Sequence, residues 1–398
     1  MKLRQGICRK TTISLSLFFC FYDMITKEYF DGWGSKMKKF LKRLLCAIAI
    51  VVLAAAGYVG YVIVSYERIP DMQAEEIEEP ANRALTEDAV KVGTSYTAMT
   101  YNIGFGAYLP EYSFFMDGGE SSWAESKESV YYALDGVVSV TEEVNPDFAL
   151  YQEVDIDGTR SYHVNQYEYL REKQGFYYTT RAINYDSAFL PYPILEPHGK
   201  NKACLALFSK YPMTSSLRRS FPVSETVSKI VDLDRCFSVT RIPVDNGKEL
   251  IVVNVHASAY GNSDAVREGQ IGMLCDVMRE EYEKGNYVIV GGDFNHDLKA
   301  DEDMPAEDLA SWAYPFPRSK LPEHFAFAVD GYDREEFLAM HNSARNADIA
   351  YIEGVTFTLT LDGFIISDNI VCEEYGTVDT GFAYSDHDAV FMQFSLAE

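Results

Sequence analysis

The sequence is poor in positive charge. Lysine and arginine number 35 against 60 acidic residues, a net charge of −25 over 398 residues. Residues 1–66 hold ten basic residues and three acids, or +7, which leaves 25 basic and 57 acidic residues, or −32, for the remainder. An acidic body of that size repels nucleic acid at long range and argues against a basic-groove binder, although a bound cation can still recruit a phosphate. Of the seven cysteines, none forms a CxxC pair, and Cys204, Cys236 and Cys275 sit within apolar runs. Buried free thiols are therefore expected rather than a zinc site or a disulfide framework. There is no internal repeat, and the 47% apolar and 24% charged content is that of a globular chain.

One long stretch lacks charge altogether. Leu44–Tyr66 is 23 residues bounded by Arg43 and Glu67, enough as a helix to span the hydrocarbon core of a bilayer. Lys36, Lys38, Lys39, Lys42 and Arg43 precede it and an acidic stretch follows. This asymmetry predicts a basic cytoplasmic N-terminus (1–43), a transmembrane helix or uncleaved signal anchor (44–66) and an extracytoplasmic body: a single-pass protein of the cell membrane. Cleavage near Ala54-Ala55-Ala56 is the competing reading. Met37-Lys-Lys-Phe-Leu-Lys-Arg reads as a second start, which would leave residues 1–36 as an upstream extension. Residues 67–93, acidic and carrying Pro70 and Pro80, read as a linker, and 94–398 as one domain.

Within that domain β-type runs alternate with helical stretches. Strands are expected at Thr97–Ile103, Phe148–Glu153, Ala203–Ser209, Cys236–Pro243, Leu250–His256, Tyr287–Gly291, Gly363–Ile366 and Ala389–Phe394. Helices are expected at Ser126–Val144 and Ser263–Glu283. Helices between only some strands predict α/β layers rather than a doubly wound sheet or a pure sandwich.

The informative feature is where the apolar runs stop. Thr100-Tyr101-Asn102, Tyr151-Gln152-Glu153, Asn254-Val255-His256 and Gly292-Asp293-Phe294-Asn295 each end a run, and Ser385-Asp386-His387 precedes the last. One such residue is ordinarily a turn residue. Five in chain order are hard to dismiss: strand ends on one edge of a sheet can converge, and oxygen-rich groups there suit a hard cation such as Mg²⁺ or Mn²⁺.

The series TYN, QE, NVH, GDFN and SDH resembles the endonuclease/exonuclease/phosphatase superfamily, which includes DNase I, exonuclease III, neutral sphingomyelinases and inositol polyphosphate 5-phosphatases. Ala206–Met213 and Leu361–Ser367 are similar to two further strands of that superfamily. The resemblance implies a DNase I-like fold, a four-layered α/β sandwich with two central mixed β-sheets. It also implies a divalent-metal-dependent phosphoesterase. Asn102 and Glu153 would hold the cation with Asp386 near it; Asp293 and Asn295 would orient water and phosphate. His256 would contact a phosphate oxygen, and His387, positioned by Asp362, would transfer protons. Gly363 departs from the pattern, where the superfamily usually carries an aromatic.

Other residues have two readings. Arg160 and His163 line the substrate mouth or a solvated loop. His198, Lys200 and Lys202 form a basic loop for a second phosphate or an ordinary surface loop. His296 supports the site or lies at the surface, and His324 and His341 have no partner visible in the sequence. The expected substrate is a phosphoester, with a phospholipid head group or nucleic acid both open. An extracellular nuclease is the alternative activity, and a catalytically dead binding module on the same fold is the third reading.

Overall fold

The computed structural model describes residues 34–65, 68–82, 88–222, 234–258, 264–304 and 313–398. The chain divides into two compact units between Ser65 and Tyr66. The first contains helix α1, Ser35–Ser65. Its segment Ser35–Val62 is the one helix among the described residues long and apolar enough to cross a membrane, and almost none of it is buried.

The second unit is built on two seven-stranded mixed sheets. The first runs β1 (Gln73–Ala74), β7 (Ser215–Ser220), β8 (Cys236–Pro243), β9 (Glu249–His256), β10 (Tyr287–Asp293), β14 (Asp362–Ser367) and β11 (Phe325–Phe327). The second runs β15 (Ile370–Thr377), β16 (Val390–Leu396), β3 (Ser95–Asn102), β4 (Phe148–Gly158), β6 (Asn201–Ser209), β5 (Tyr178–Asp186) and β2 (Ile77–Glu78). A short β12–β13 pair (Ala344–Arg345, Thr358–Leu359) stands apart.

Strand alternation divides the core. Ala98, Phe148, Leu150 and Leu207 face the first sheet, where they join Val252, Val253, Ile289 and Val290 in one apolar cluster. Their neighbours Met99, Ala149, Tyr151 and Phe208 face the opposite way, as a period of two requires. There they pack on helix α2 (Lys127–Val144), through Val130, Leu134 and Val137, and on α3 (Gln166–Lys173), through Leu170. Helix α4 (Asp264–Glu283) joins the first sheet's core through Ile271, Leu274, Val277 and Met278. Truncating a residue such as Leu150 between the sheets would cost about 2–5 kcal/mol. Helix α2 starts where Ser126 and Ser129 cap one another's backbone amides (3.0 and 2.9 Å).

The expected strands and helices form within a few residues of their sequence bounds. Strands β5, β7, β11 and β15 and helix α3 were not foreseen. The expected linker also needs correction. Residues 68–82 are strapped onto the domain, with Gln73 opposite Arg218 in one sheet and Ile77 opposite Thr180 in the other. The Arg68 guanidinium donates to Phe221 O (2.7 Å), and Asp71 accepts from Ser220 N (2.7 Å). The acidic, proline-flanked composition concealed two short edge strands. Cys204, Cys236 and Cys275 are buried free thiols; Cys8 and Cys20 lie outside the described residues.

Candidate active site

Parallel pairing sets the C-terminal end of β3 beside the middle of β4, Asn102 opposite Gln152, and brings together the C-terminal ends of β9 and β10, His256 opposite Asp293. Strand β14 runs the other way, so its first residue, Asp362, lies opposite Asp293. The β12 bridge Ala344–His387 fixes the last segment. Every site residue expected from sequence therefore comes to one edge.

Local backbone chemistry aims the groups. Glu153 sits at a bulge in β4 with φ +56°, a left-handed conformation that costs a non-glycine residue energy and turns its carboxylate out of the ladder. Asn295 also has positive φ (+50°), with its amide N donating to Asp293 Oδ1 (2.8 Å). Gly104 (φ +51°) lets the chain leave Asn102; a Cβ there would lie 2.8 Å from Asp386 Oδ1. At Gly292 (φ +148°) a Cβ would meet Val255 O at 2.0 Å, so only glycine lets β10 lie this close to β9.

The side chains form one connected group. Asn102 Nδ2 donates to Asp293 Oδ2 (3.1 Å), and His256 Nε2 stands 3.4 Å from the same oxygen and 3.9 Å from Glu153 Oε1. His387 Nδ1 pairs with Asp362 Oδ2 (2.7 Å), leaving Nε2 facing Asp293 Oδ2 at 4.0 Å. Ser343 Oγ donates to that Asp362 oxygen (2.7 Å), and Ser385 Oγ to Asn102 O (2.8 Å). Asn295 Nδ2 is held on Ala257 O (3.0 Å). Gln152 Nε2 reaches Asn254 Oδ1 (2.8 Å), a polar tie between the two sheets beneath the site.

Burial polarises these groups. It raises the pKa of Asp293, with Asp362 adding repulsion, and raises those of Glu153 and Asp386. The Asp386 charge adds to the effect on Glu153, against Arg160. Burial pushes His256 far below the usual histidine value, helped by Arg235 and His387, so its ring is neutral. For His387 burial acts downward, but Asp362, with the charges of Asp386 and Asp293, outweighs it and raises the pKa well above the usual histidine value, which favours the protonated ring. The two histidines thus stand in opposite charge states.

The donor set fits a divalent cation. Glu153 and Asp386, repelling each other beside the Asn102 amide, are hard oxygen donors whose desolvation a cation would offset. Asp293, Asp362 and His387 also bring ligand atoms within 4.8 Å of one another. There, however, the short His387–Asp362 hydrogen bond commits both partners to each other.

The remaining residues resolve as follows. Arg160 is buried, bidentate on Asp155 (2.7 and 3.1 Å) and 3.8 Å from the Phe105 ring centre, so it does not line an open mouth. His163 is exposed and pairs with Asp157 (2.6 Å). His198 is buried and its pKa falls to about 3 through burial and Arg160, so it brings no charge to a second phosphate. Lys200 and Lys202 face Asp186 at 4.0 and 3.3 Å. His296 is buried with Nδ1 on Phe294 O (2.6 Å). His324 pairs with Asp368, and His341 with Asp388. At Gly363 the space beyond the Cα is filled by Leu298 and Tyr375.

Sequence reasoning missed Arg235, which acts electrostatically on Glu153, His256 and Asp293, and Ser343, which anchors Asp362. Arg235 precedes β8, antiparallel to β9, so it reaches the site edge from a strand's N-terminal end. The search for polar groups at strand C-termini passes over that position.

Known proteins resemble this chain in sequence and in fold. The endonuclease/exonuclease/phosphatase family model matches residues 99–387. An endonuclease/exonuclease/phosphatase from Beutenbergia cavernae has a similar structure (TM-score 0.51, 14% identity, 76% of this chain and 72% of that one). So does D. rerio TDP2, solved with a single-strand DNA product (TM-score 0.50, 13% identity, 76% and 99%). A further endonuclease/exonuclease/phosphatase, from Bacteroides vulgatus, has a TM-score of 0.48 at 17% identity, with 76% and 99% covered. No curated protein sequence matches the chain. These likenesses concern the fold, whereas the family match spans every residue of the site: the chain belongs to the endonuclease/exonuclease/phosphatase family.

Proposed function

We propose that the chain is a membrane-tethered, extracytoplasmic phosphoesterase that depends on Mg²⁺ or Mn²⁺. The observation that carries this reading is the single edge holding Asn102, Glu153, Asp386, Asp293, Asn295, His256, Asp362 and His387. Glu153, Asn102 and Asp386 would hold the cation, whose chemistry is to neutralise the phosphate and stabilise the charge that develops on it. Asp293, its pKa raised toward neutrality, takes the proton of an attacking water. Neutral His256 donates from Nε2 to a phosphate oxygen, and Asn295 fixes the Asp293 carboxylate through its backbone N–H. His387, protonated and oriented by Asp362, gives its Nε2 proton to the leaving oxygen. The water oxygen becomes bonded to phosphorus, the P–O bond to the leaving group breaks, and the departing alcohol carries the proton.

The apolar helix α1 and its basic flank support the tether and the outward-facing body. The complete set of polar positions speaks against a dead binding module. The alternative activity is an extracellular nuclease, favoured by the single-strand DNA product bound to the D. rerio relative. The full chain in detergent, assayed on DNA, RNA, sphingomyelin, phosphatidylinositol, inositol phosphates and a soluble bis-aryl phosphate, tests the reading. Hydrolysis of at least one ester, abolished by chelator, is expected; no hydrolysis of any of them in Mg²⁺ or Mn²⁺ refutes it.

A further inference from the structure

Three loops beside the site expose apolar side chains that the proposed chemistry does not use. Leu195 is 99% exposed and Ile194 82%, and Tyr192 beside them is also exposed; Met116 (67%), Val355 (68%) and Ile352 (52%) lie on the other two loops. The loops, residues 107–119, 187–199 and 346–357, are contiguous. Ser122 Oγ and Trp123 Nε1, just past the first loop, donate to Glu196 O and Pro197 O of the second (2.6 and 2.7 Å), and the Phe115 and Tyr192 rings pack 5.8 Å apart. Phe114 N donates to Ala347 O (2.7 Å) and Tyr351 N to Pro110 O (2.6 Å), joining the third loop to the first. The same assembly borders the site. The first loop leaves Asn102 through Gly104, and Arg345, at the root of the third, donates from its amide to Asp386 O (2.9 Å) and from its guanidinium to Leu109 O (3.1 Å).

Isolated apolar residues on a surface mean little, but several gathered on adjoining loops mark a place that is covered in use. Their charge says by what. Within these bounds the loops carry no lysine or arginine; Lys200, directly past the second, faces Asp186 at 4.0 Å, while Glu111, Asp117, Glu196, Asp348 and Glu353 lie on the loops. Such an acidic rim offers little to a polyanion and is repelled by an anionic surface. The tethered reading supplies the occupant: in the sequence only Tyr66 and Glu67 lie between α1 and Arg68, which is bonded into the domain, so the domain is covalently linked to a bilayer spanned by α1.

We propose that these loops form a rim that seats in the interface of a zwitterionic bilayer and presents the site to phosphodiester lipids in that bilayer. The inference rests on the tethered-phosphoesterase reading. Leu195, Ile194, Met116 and Val355 enter the acyl boundary, with the acidic side chains at the level of neutral head groups. Because burial of apolar surface drives the seating, it is insensitive to salt.

The test uses the full chain reconstituted in phosphatidylcholine bilayers, with Leu195→Trp, Val355→Trp and a control, Val371→Trp. Val371 pairs with Ser395, which pairs with Ser95, at the opposite end of the second sheet from Asn102. Brominated acyl chains should quench the emission gained in Leu195→Trp and Val355→Trp at least threefold more than that gained in Val371→Trp, equally in low and high salt. Equal quenching in all three variants overturns the proposal. So does a blue shift of the Leu195→Trp emission that appears only at raised protein density, which would assign the rim to a second copy, or only on adding another protein. In parallel, Ile194→Asp/Leu195→Asp should lose at least tenfold in turnover of bilayer sphingomyelin or phosphatidylcholine while keeping its rate on a soluble bis-aryl phosphate. A parent that hydrolyses the soluble ester but no bilayer lipid, or a variant with no selective loss, also overturns it. A parent inactive on the soluble ester as well refutes the phosphoesterase reading, and the quenching alone then decides whether the rim enters the bilayer.

Discussion

Replacing Asp155 by asparagine should damage the fold of the domain measurably, and the structure sets the size of the effect. The carboxylate takes two hydrogen bonds from the Arg160 guanidinium, at 2.7 and 3.1 Å, and one from Ser161 Oγ at 2.7 Å. Both members of the pair are buried. Burial alone would lower the Arg160 pKa, yet Asp155, foremost among the groups that raise it and joined by Glu153 and Tyr185, more than offsets this, so the guanidinium stays charged and depends chiefly on its partner. Removing one member of such a pair leaves a buried charge uncompensated, at about 3–5 kcal/mol. Unfolding entropy of about 2.1 cal/mol/K per residue over roughly 330 residues gives about 0.7 kcal/mol/K. The expected drop in Tm is then roughly 4–7 °C, read by the domain's calorimetric transition. Asp155→Leu/Arg160→Met, which removes both charges, should recover more than half of the loss. An unchanged Tm in Asp155→Asn would refute the account of the pair. A further consequence concerns the site: Arg160 counters the repulsion on Glu153, so a guanidinium freed from Asp155 should pair more closely with Glu153 and weaken cation binding.

Two further outcomes are expected. Glu75, on the strap between β1 and β2, has its pKa raised to about 7, chiefly by burial, and its Oε1 has no hydrogen-bond partner. A carboxyl raised in the folded state stabilises the fold fully below its unfolded value near 4.5 and loses that contribution as pH rises through 7. Glu75→Gln should therefore raise stability at pH 8 by up to about 2–3 kcal/mol and leave it unchanged at pH 4, as read by denaturant titration at both pH values. At the site, His387→Ala should lower turnover about 10²–10⁴-fold with little change in cation affinity. Asp362→Asn should cost less, since the amide that replaces the carboxylate stays anchored by Ser343 and its oxygen can still accept from the ring, whereas Asp386→Ala should impair both turnover and cation binding.

The strands that carry the site were legible because parallel strands buried on both faces are continuous apolar runs, and a polar residue ending one stands out. Asn102, Glu153, His256 and Asp293 were found that way. Edge strands hide better. Strand β15 is largely exposed on one side, and its Cys-Glu-Glu sequence lacks an apolar run, while β1 and β2 are two residues each within an acidic stretch. Register across the sheets was also beyond the sequence: that Gln152 meets Asn254, or that Arg235 reaches the site from the start of β8, depends on strand direction. The same holds for His198, whose neighbours Lys200 and Lys202 suggest a basic loop. Its ring is instead enclosed by Phe114 and Phe115, contacts roughly 80 residues distant in the chain.

The most direct test of the central claim is the rate of bis-aryl phosphate hydrolysis as a function of Mg²⁺ or Mn²⁺ concentration, for the parent and for Glu153→Gln. The account predicts no turnover in excess chelator, saturable recovery as the cation is restored, and in Glu153→Gln a half-saturating concentration at least tenfold higher with a rate lowered at least a hundredfold. Full hydrolysis in chelator, or a Glu153→Gln curve superimposable on that of the parent, would contradict it.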